Sequence, residues 1–203
     1  MKTEILPASE IERALEVLIK GGIVAFPTDT VYGLGVLAFD NSAIESIYTA
    51  KDRPIEKAIP ILIGDLDDLD KIAADIPNMA LRFAARFWPG PLTCVIPKKP
   101  TLPPAVSSTN TIAVRIPGHP DARALLRTAG PMAVTSANIS GQPSPATAQE
   151  VYSQLKGRIP LILDGGSTGG GIPSTLVDCT GEMPLILREG PISLSELLAA
   201  LKV

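Results

Sequence analysis

The sequence is poor in histidine, cysteine and aromatic side chains, and each scarcity excludes a class of function. Its 203 residues include one histidine and two cysteines, too few for a histidine-rich metal centre or a disulfide framework. Aromatic residues make up 4% of the chain, which is few for a surface that binds single-stranded nucleic acid by stacking. Cys94 and Cys179 lie in separate apolar runs without CxxC spacing, so both are predicted to be buried structural thiols.

Long apolar runs and an excess of one charge are also lacking. No apolar run approaches the length that crosses a bilayer, and the first residues lack the charged-then-apolar pattern of a secretory signal. We therefore expect a cytoplasmic protein without a membrane contact. The net charge of -3 gives no general attraction to a polyanion. Basic residues nevertheless concentrate in 76–127 and acidic ones in 65–75, which indicates either a local basic surface or separately solvated helix faces.

What the sequence does contain is an alternation of short apolar runs and helical patterns, which predicts an α/β sheet with helices on its faces. Hydrophobic residues make up 45% of the chain, enough for a full core, and residues 1–203 are predicted to form one domain. The predicted strands cover 23–26, 59–63, 92–96, 111–116, 132–135, 161–163, 174–177 and 185–187. Helical patterns lie near 41–50, 66–73, 78–87 and 121–129. Capping boxes predict further helix starts at Ser9, Thr147 and Ser193.

The run Pro-Thr-Asp-Thr-Val-Tyr-Gly-Leu-Gly at 27–35 follows a predicted strand, where open α/β sheets place their ligands. Thr28 would supply a hydroxyl, and Gly33 and Gly35 permit a close backbone approach. A turn stabilised by Thr and Asp side chains is the alternative.

Lys51 and Arg53 lie at the predicted C-terminus of a helix, where the helix dipole favours cations even without a ligand. Pro54 ends that helix and allows both cations to turn into one pocket. A triphosphate would be their partner, because an arginine can chelate two oxygens while a lysine acts as a point charge.

Polar groups also stand at the ends of later strands. Arg115 is costly to bury alone, so an anionic ligand or an internal salt bridge is expected. Ser136 and Asn138 offer donors and acceptors to a polar ligand, or they are turn residues. The glycine-rich segment 164–171 could cradle a phosphate, but it lacks the Gly-Lys-Ser/Thr ending and precedes a strand, which favours a connector. Arg188 lies on the last strand, which would pair with its predecessor in a hairpin.

No nucleophile with a neighbouring base emerges, and His119 lies in a predicted turn between Gly118 and Pro120. The polar groups that are present suit a reaction driven by positioning and charge neutralisation, such as attack on the α-phosphate of ATP.

Seven blocks of the chain, taken in order, make a specific pattern. They are 27–34, Lys51-x-Arg53-Pro54, Phe-Trp-Pro-Gly-Pro-Leu-Thr at 87–93, 113–117, Ser-Ala-Asn-Ile-Ser-Gly at 136–141, 173–178 and 186–190. With these blocks the chain resembles the YrdC-like family of threonylcarbamoyl-AMP synthases.

The resemblance implies a twisted, mostly open mixed α/β sheet flanked by helices, with a large concave basic cavity. It also implies condensation of L-threonine, bicarbonate and ATP into threonylcarbamoyl-AMP and pyrophosphate, and transfer of the product to a tRNA threonylcarbamoyl transferase complex.

The resemblance also implies roles for individual residues. Thr28, Arg115 and Ser174 would hold threonine, with Arg115 on its carboxylate. Lys51 and Arg53 would be catalytic, neutralising the charge of the leaving pyrophosphate, and Mg²⁺ would accompany ATP without assigned protein ligands. The residues implied to hold ATP are Lys51, Arg53, Thr111, Ser136, Asn138, Ser144 and Arg188.

Two departures from the family pattern favour its short, single-domain form. The chain ends soon after Arg188, and the segment after Pro54 lacks a histidine that longer members place there, so one threonine contact is absent or replaced. Two alternative functions stay open. One is a ribosome-maturation module that contacts double-stranded RNA or tRNA by shape. The other is a paralogue that acts on another substrate.

Overall fold

The chain forms one layer of strands with helices on both faces. The computed structural model describes residues 1–169 and 171–202. Its strands are β1 (Glu4–Pro7), β2 (Val24–Phe26), β3 (Gly33–Leu37), β4 (Ile61–Leu62), β5 (Leu92–Pro97), β6 (Thr111–Arg115), β7 (Met132–Ser136), β8 (Leu161–Asp164), β9 (Thr175–Asp178) and β10 (Leu185–Arg188). Its helices are α1 (Ile11–Ile19), α2 (Asn41–Lys51), α3 (Leu69–Ile72), α4 (Asn78–Phe87), α5 (Pro120–Ala129), α6 (Ala148–Leu155) and α7 (Leu194–Ala200).

The strands join one mixed sheet in the order β1-β8-β2-β3-β7-β4-β6-β5-β9-β10. Strand β8 runs parallel to β1 and β2, and β6 runs parallel to β4, whereas β3 is antiparallel to both β2 and β7. Strands β1 and β10 stand at opposite ends of this order, so the sheet is open within the described residues. The predicted α/β fold with an open, mixed sheet flanked by helices is confirmed.

Successive residues of the central strands serve opposite faces of the sheet, as the pleat of a strand requires. Ile61 belongs to the apolar cluster that contains the buried residues of α2, α4, α6 and α7. Its neighbour Leu62 belongs to a second apolar cluster, which contains the buried residues of α1 and α5. Leu62 and Val134 of this second cluster also line a cavity, so α1 and α5 leave part of that face open for a ligand.

Most predicted elements are present with small shifts in their ends. All eight predicted strands occur within two residues of the predicted bounds, and the pattern at 66–73 forms a 3-10 turn, Leu66–Asp68, followed by α3. Strands β1 and β3 were not predicted. The hairpin of β9 and β10 is confirmed by their antiparallel pairing. Of the glycine-rich segment 164–171, Gly170 lies outside the described residues.

The three predicted helix caps have three different outcomes. At α7 the capping box is complete. The Ser193 hydroxyl accepts the backbone N–H of Glu196, and the Glu196 carboxylate accepts the backbone N–H of Ser193. At α6 Thr147 caps the helix, but the Glu150 carboxylate accepts the N–H of Ala146 at 2.7 Å. The prediction of a cap at Ser9 is wrong, since α1 begins after Glu10 without a side-chain cap. The chain turns into α1 one residue later than the Ser9 pattern requires.

Burial of the two cysteines is confirmed. A hydrogen bond with Cys179, together with burial, raises the pKa of the Cys94 thiol well above its usual value. No helix in the described parts of the chain is both long and apolar enough to span a bilayer.

Candidate functional site

A cavity of about 440 Å³ opens on the face of the sheet that α1 and α5 leave uncovered. Strands β4, β5, β6, β7 and β9 supply its floor, and the loops around residues 28–31, 53–58 and 107–109 supply its walls. Three of the predicted binding residues are not among the described residues that line this cavity, namely Lys51, Asn138 and Ser144. The predicted binding residues that do line it are Thr28, Arg53, Thr111, Arg115, Ser136, Ser174 and Arg188.

Thr28 forms the turn that follows β2 and also reaches the cavity. Its hydroxyl donates to the carbonyl of Val31 at 2.6 Å and accepts the N–H groups of Thr30 and Val31. The side chain is buried, with 3% of its surface exposed. The turn interpretation of the 27–35 run is therefore confirmed, and the same turn places a hydroxyl at the cavity wall.

Arg115 is buried at the end of β6 and is held by three partners. Its Nε donates to the carbonyl of Gly90 at 2.9 Å, Nη1 donates to Thr30 Oγ1 at 3.0 Å, and Nη2 donates to Asp29 Oδ1 at 2.5 Å. The expected internal salt bridge is thus present, with Asp29. Burial lowers the pKa of Arg115, and the Asp29 carboxylate acts in the opposite direction.

A second arginine lies close to the first. Arg188 on β10 donates from Nη2 to the Ser174 carbonyl at 2.8 Å and to the Ser174 hydroxyl at 3.2 Å. That hydroxyl also shares a hydrogen bond of 2.7 Å with Thr93 Oγ1. Burial lowers the pKa of Arg188, and the charge of Arg115 adds to this effect. Two guanidinium groups therefore lie close enough for their charges to interact, and both line the cavity.

Lys51 is buried beneath the loop that follows β7. Only 1% of it is exposed, and its ammonium group donates to the backbone carbonyls of Ser136 and Asn138. Burial lowers its pKa from 10.5 to about 7, and the nearby charge of Arg53 adds to the effect. Lys51 does lie at the end of α2, as predicted, but it contacts the loop carbonyls.

The side chain of Asn138 holds this loop together. Its amide nitrogen donates to the carbonyls of Ile139 and Gln142 at 2.8 and 2.7 Å, and its oxygen accepts the Ser136 hydroxyl. The turn interpretation of Asn138 is therefore realised. Ser136 itself lines the cavity, and Ser144 is half-buried farther along the chain. A role for these residues in ATP binding stays a prediction.

Arg53 and Thr111 line the cavity on the side of the 107–109 loop. Arg53 donates to the backbone carbonyls of Lys57 and Ala58 at 3.1 and 2.8 Å, so the segment after Pro54 fixes its guanidinium. Thr111 shares a 2.9 Å hydrogen bond with Thr109, which in turn bonds the hydroxyl of Ser107 at 3.0 Å. These three hydroxyls form a polar row along one wall.

Sequence reasoning missed Asp29 and Thr93. Asp29 lies between two threonines in the 27–35 run and was interpreted only as a turn residue. The sequence does indicate that a strand-end arginine such as Arg115 needs a counter-charge when it is buried, but it does not identify which carboxylate supplies it. Thr93 carried no such signal, since its contact with Ser174 joins residues 81 positions apart.

Part of the uneven charge of the sequence is matched within the fold. Asp65 accepts from Arg123 at 2.8 Å and from Arg127 at 2.7 Å, and hydrogen bonds from Arg127 and then Arg123 lower its pKa to about 2. Lys99 donates to the carbonyl of Asp70. Asp65 of the acidic segment thus faces two arginines of the basic segment.

Comparison with known proteins identifies the family of the chain. Residues 16–190 match the Sua5/YciO/YrdC family model, described as "Telomere recombination". Threonylcarbamoyl-AMP synthases of Bacillus subtilis and Pyrococcus abyssi are 43% and 44% identical over 195 and 180 residues, covering 95% and 88% of this chain. These matches cover 56% and 53% of the relatives, so the chain spans about half their length.

Solved structures of similar proteins have the same fold. P. abyssi Sua5 complexed with L-threonine superposes with a TM-score of 0.92 at 41% identity, covering 98% of this chain and 59% of that one. Escherichia coli YciO gives a TM-score of 0.86 at 28% identity, covering 96% and 99% of the two chains. The matched segment and these identities show that the chain belongs to the Sua5/YciO/YrdC family.

Proposed function

We propose that this chain is an L-threonylcarbamoyladenylate synthase, a nucleotidyltransferase that condenses L-threonine, bicarbonate and ATP into threonylcarbamoyl-AMP and pyrophosphate. The observation that carries the proposal is one cavity lined by both implied sets of residues, with Thr28, Arg115 and Ser174 on the threonine side and Arg53 and Ser136 on the nucleotide side. The names of the relatives at 43% and 44% identity support the same activity.

The threonine side is already connected by hydrogen bonds. Thr28 bonds Thr30 at 3.1 Å, and Thr30 accepts from Arg115. An arginine at the end of a buried strand presents a planar fork that matches a carboxylate. We therefore assign the carboxylate of threonine to Arg115, with the hydroxyls of Thr28 and Ser174 available to its polar groups.

Arg188 lies where the two sides meet. It belongs to the implied ATP set, yet its guanidinium donates to the carbonyl and hydroxyl of Ser174. A group that touches both sides suits the position where an oxygen of the acceptor approaches the α-phosphorus. Arg188 would stabilise the negative charge that develops there.

The proposed chemistry needs positioning and charge neutralisation, without a covalent enzyme intermediate. The amine of threonine forms a carbamate, either with bicarbonate and loss of water or with carbon dioxide and loss of a proton. The carbamate oxygen then attacks the α-phosphorus of ATP, and pyrophosphate leaves in line as its bond to that phosphorus breaks. Arg53 would neutralise the leaving group from the cavity wall. Lys51 would act through the Ser136–Asn138 loop that its ammonium group supports.

We expect Mg²⁺ to arrive with ATP. Within the described residues, no group of three His, Cys, Asp or Glu side chains is placed to hold a metal ion. Glu56 is the one carboxylate among the described lining side chains of the cavity. Such a site fits an ion that keeps phosphate and water oxygens as its ligands, as Mg²⁺ does.

The proposal is tested by pyrophosphate release from ATP with threonine, with bicarbonate, with both and with neither. We expect turnover only with both. Serine lacks one methyl group, which is worth about 1–3 kcal/mol in an apolar pocket, so serine should be a poorer substrate and not an inactive one. Release that ignores threonine, or that accepts alanine equally well, would contradict the proposal.

The product would be consumed by a transferase complex that modifies tRNA, because an acyl adenylate is an activated donor. Contact of this chain itself with tRNA or double-stranded RNA is the competing hypothesis. Binding to RNA should weaken steeply with added salt, whereas turnover of ATP should respond mildly.

A further inference from the structure

Asp29 is a partly buried carboxylate that the proposed chemistry leaves unused. Its side chain is 20% exposed, and its Oδ1 accepts two hydrogen bonds, from Arg115 Nη2 at 2.5 Å and from the backbone N–H of Gly118 at 2.8 Å. Gly118 belongs to the loop after β6, so Asp29 ties the turn after β2 to the loop that follows Arg115. Asp29 is not among the described residues that line the cavity, so it contacts Arg115 from outside that lining.

The guanidinium of Arg115 is held in one orientation by this arrangement. A guanidinium carries five N–H donors. Among the described residues three of these donors have partners, in Gly90, Thr30 and Asp29, which leaves one N–H on each terminal nitrogen without a described partner. Arg115 lines the cavity although only 5% of it is exposed, and we infer that these two donors are the ones offered to a ligand. A pair of N–H groups on the two terminal nitrogens matches the two oxygens of a carboxylate.

The charge of Asp29 has a second consequence. Arg115 and Arg188 are close enough for their charges to interact unfavourably, and Asp29 offsets the charge of one of them. Without Asp29, the repulsion between the two guanidinium groups would be stronger. Arg115 would then be free to rotate toward solvent or toward the nucleotide side of the cavity.

We propose that Asp29 is a positioning residue, which fixes the Arg115 guanidinium so that its two free N–H groups select a substrate carboxylate. This inference rests on the proposed function, since it makes threonine's carboxylate the ligand of that fork. It assigns no contact between Asp29 and the substrate. Replacing Asp29 should therefore reduce the preference for a ligand with a carboxylate and should not weaken ligand binding in general.

The test compares binding of L-threonine and L-threoninamide by titration calorimetry in the wild-type protein, Asp29→Ala and Asp29→Asn. In threoninamide an NH2 group replaces one carboxylate oxygen, so the negative charge and one acceptor are lost while the amine, hydroxyl and methyl groups stay. Losing an oriented charged hydrogen bond typically weakens binding by about 10- to 100-fold. The wild-type protein should therefore bind threonine about 10- to 100-fold more tightly than threoninamide. In Asp29→Ala this preference should fall at least tenfold, while ATP affinity stays within about twofold. Asp29→Asn keeps the acceptor oxygen and should restore much of the preference.

The matched control is Asp65→Ala, which removes another arginine-paired carboxylate, on the outer surface with Arg123 and Arg127. It should leave the preference unchanged. A wild-type protein that binds no threonine would reject the proposed function. If the wild type binds threonine but folded Asp29→Ala and Asp29→Asn keep its full preference, only the positioning role is rejected. Equal weakening of threonine, threoninamide and ATP would also overturn that role.

Discussion

At the scale of single residues, Lys51 shows how one buried charge links the fold to pH. Its pKa falls from 10.5 to about 7 because it is buried, with a contribution from Arg53. Between these values the unfolded chain binds the proton that the folded protein releases, so the free energy of unfolding gains a term that rises with pH. One group contributes at most about 1.4 kcal/mol per pH unit.

We therefore predict that the Lys51 term makes the free energy of unfolding of the wild-type protein rise with pH between about pH 7 and 10. Lys51→Met should lose this pH-dependent increase. Urea unfolding at several pH values, plotted as wild type minus variant, isolates that component. Lys156→Met, at an exposed lysine, is the control. A wild-type-minus-Lys51→Met difference that does not change with pH would show that Lys51 keeps its proton throughout.

Asn138 is the second residue-scale test, because its amide bonds both Ile139 and Gln142. Asn138→Ala leaves these two carbonyls without their donor, at a cost of about 1–3 kcal/mol. For a chain of this size, we expect Tm to fall by roughly 2–4 °C per kcal/mol. Calorimetric melting measures this, with Ser144→Ala as the comparison in the same loop region. An unchanged Tm with much weaker ATP binding would instead identify Asn138 as a direct nucleotide ligand.

Among the elements, strand β3 has a position at which only glycine fits without close contacts. Gly35 lies opposite Val134 in the ladder, and a Cβ at this position would lie 2.9 Å from Met132 Cε, 3.0 Å from Val134 Cγ2 and 3.1 Å from Phe26. The side chains of Phe26, Met132 and Val134 can therefore pack over this position of β3 because Gly35 has no side chain of its own. The same glycines made this segment resemble a turn in the sequence.

Gly35→Ala should therefore destabilise the protein by about 1–3 kcal/mol through overpacking. Gly181→Ala is the matched control, since a Cβ there meets only the carbonyl of Met183 at 3.8 Å. Denaturant unfolding of both variants measures the difference. Equal stability of the two would mean that β3 shifts to admit a methyl group.

The elements also show what the sequence could and could not predict. Apolar runs bounded by glycine or proline report burial directly, so the eight strands predicted from them were found. The ends of α2 and α4 were predicted because proline and the helix pattern are local signals. Asp29 could not be assigned to Arg115, because the two are 86 residues apart and meet only through the sheet. The contacts of Lys51 with the Ser136–Asn138 loop are equally long-range.

At the scale of the whole molecule, an open sheet with one partly uncovered face brings residues from distant segments to one cavity. Thr28 comes from the turn after β2, Arg53 from the segment after α2, and Arg115 and Ser136 from the ends of two central strands. The sequence motifs stand in order along the chain, but only the sheet places them around one space of about 440 Å³.

We propose that this cavity joins threonine, bicarbonate and ATP in a single product. Mass spectrometry can identify the nucleotide products formed from ATP, L-threonine and bicarbonate labelled with a heavy carbon isotope. We expect an AMP adduct that contains both the threonine mass and the labelled carbon, formed together with pyrophosphate. Formation of AMP or ADP without an adduct that carries the label would contradict it.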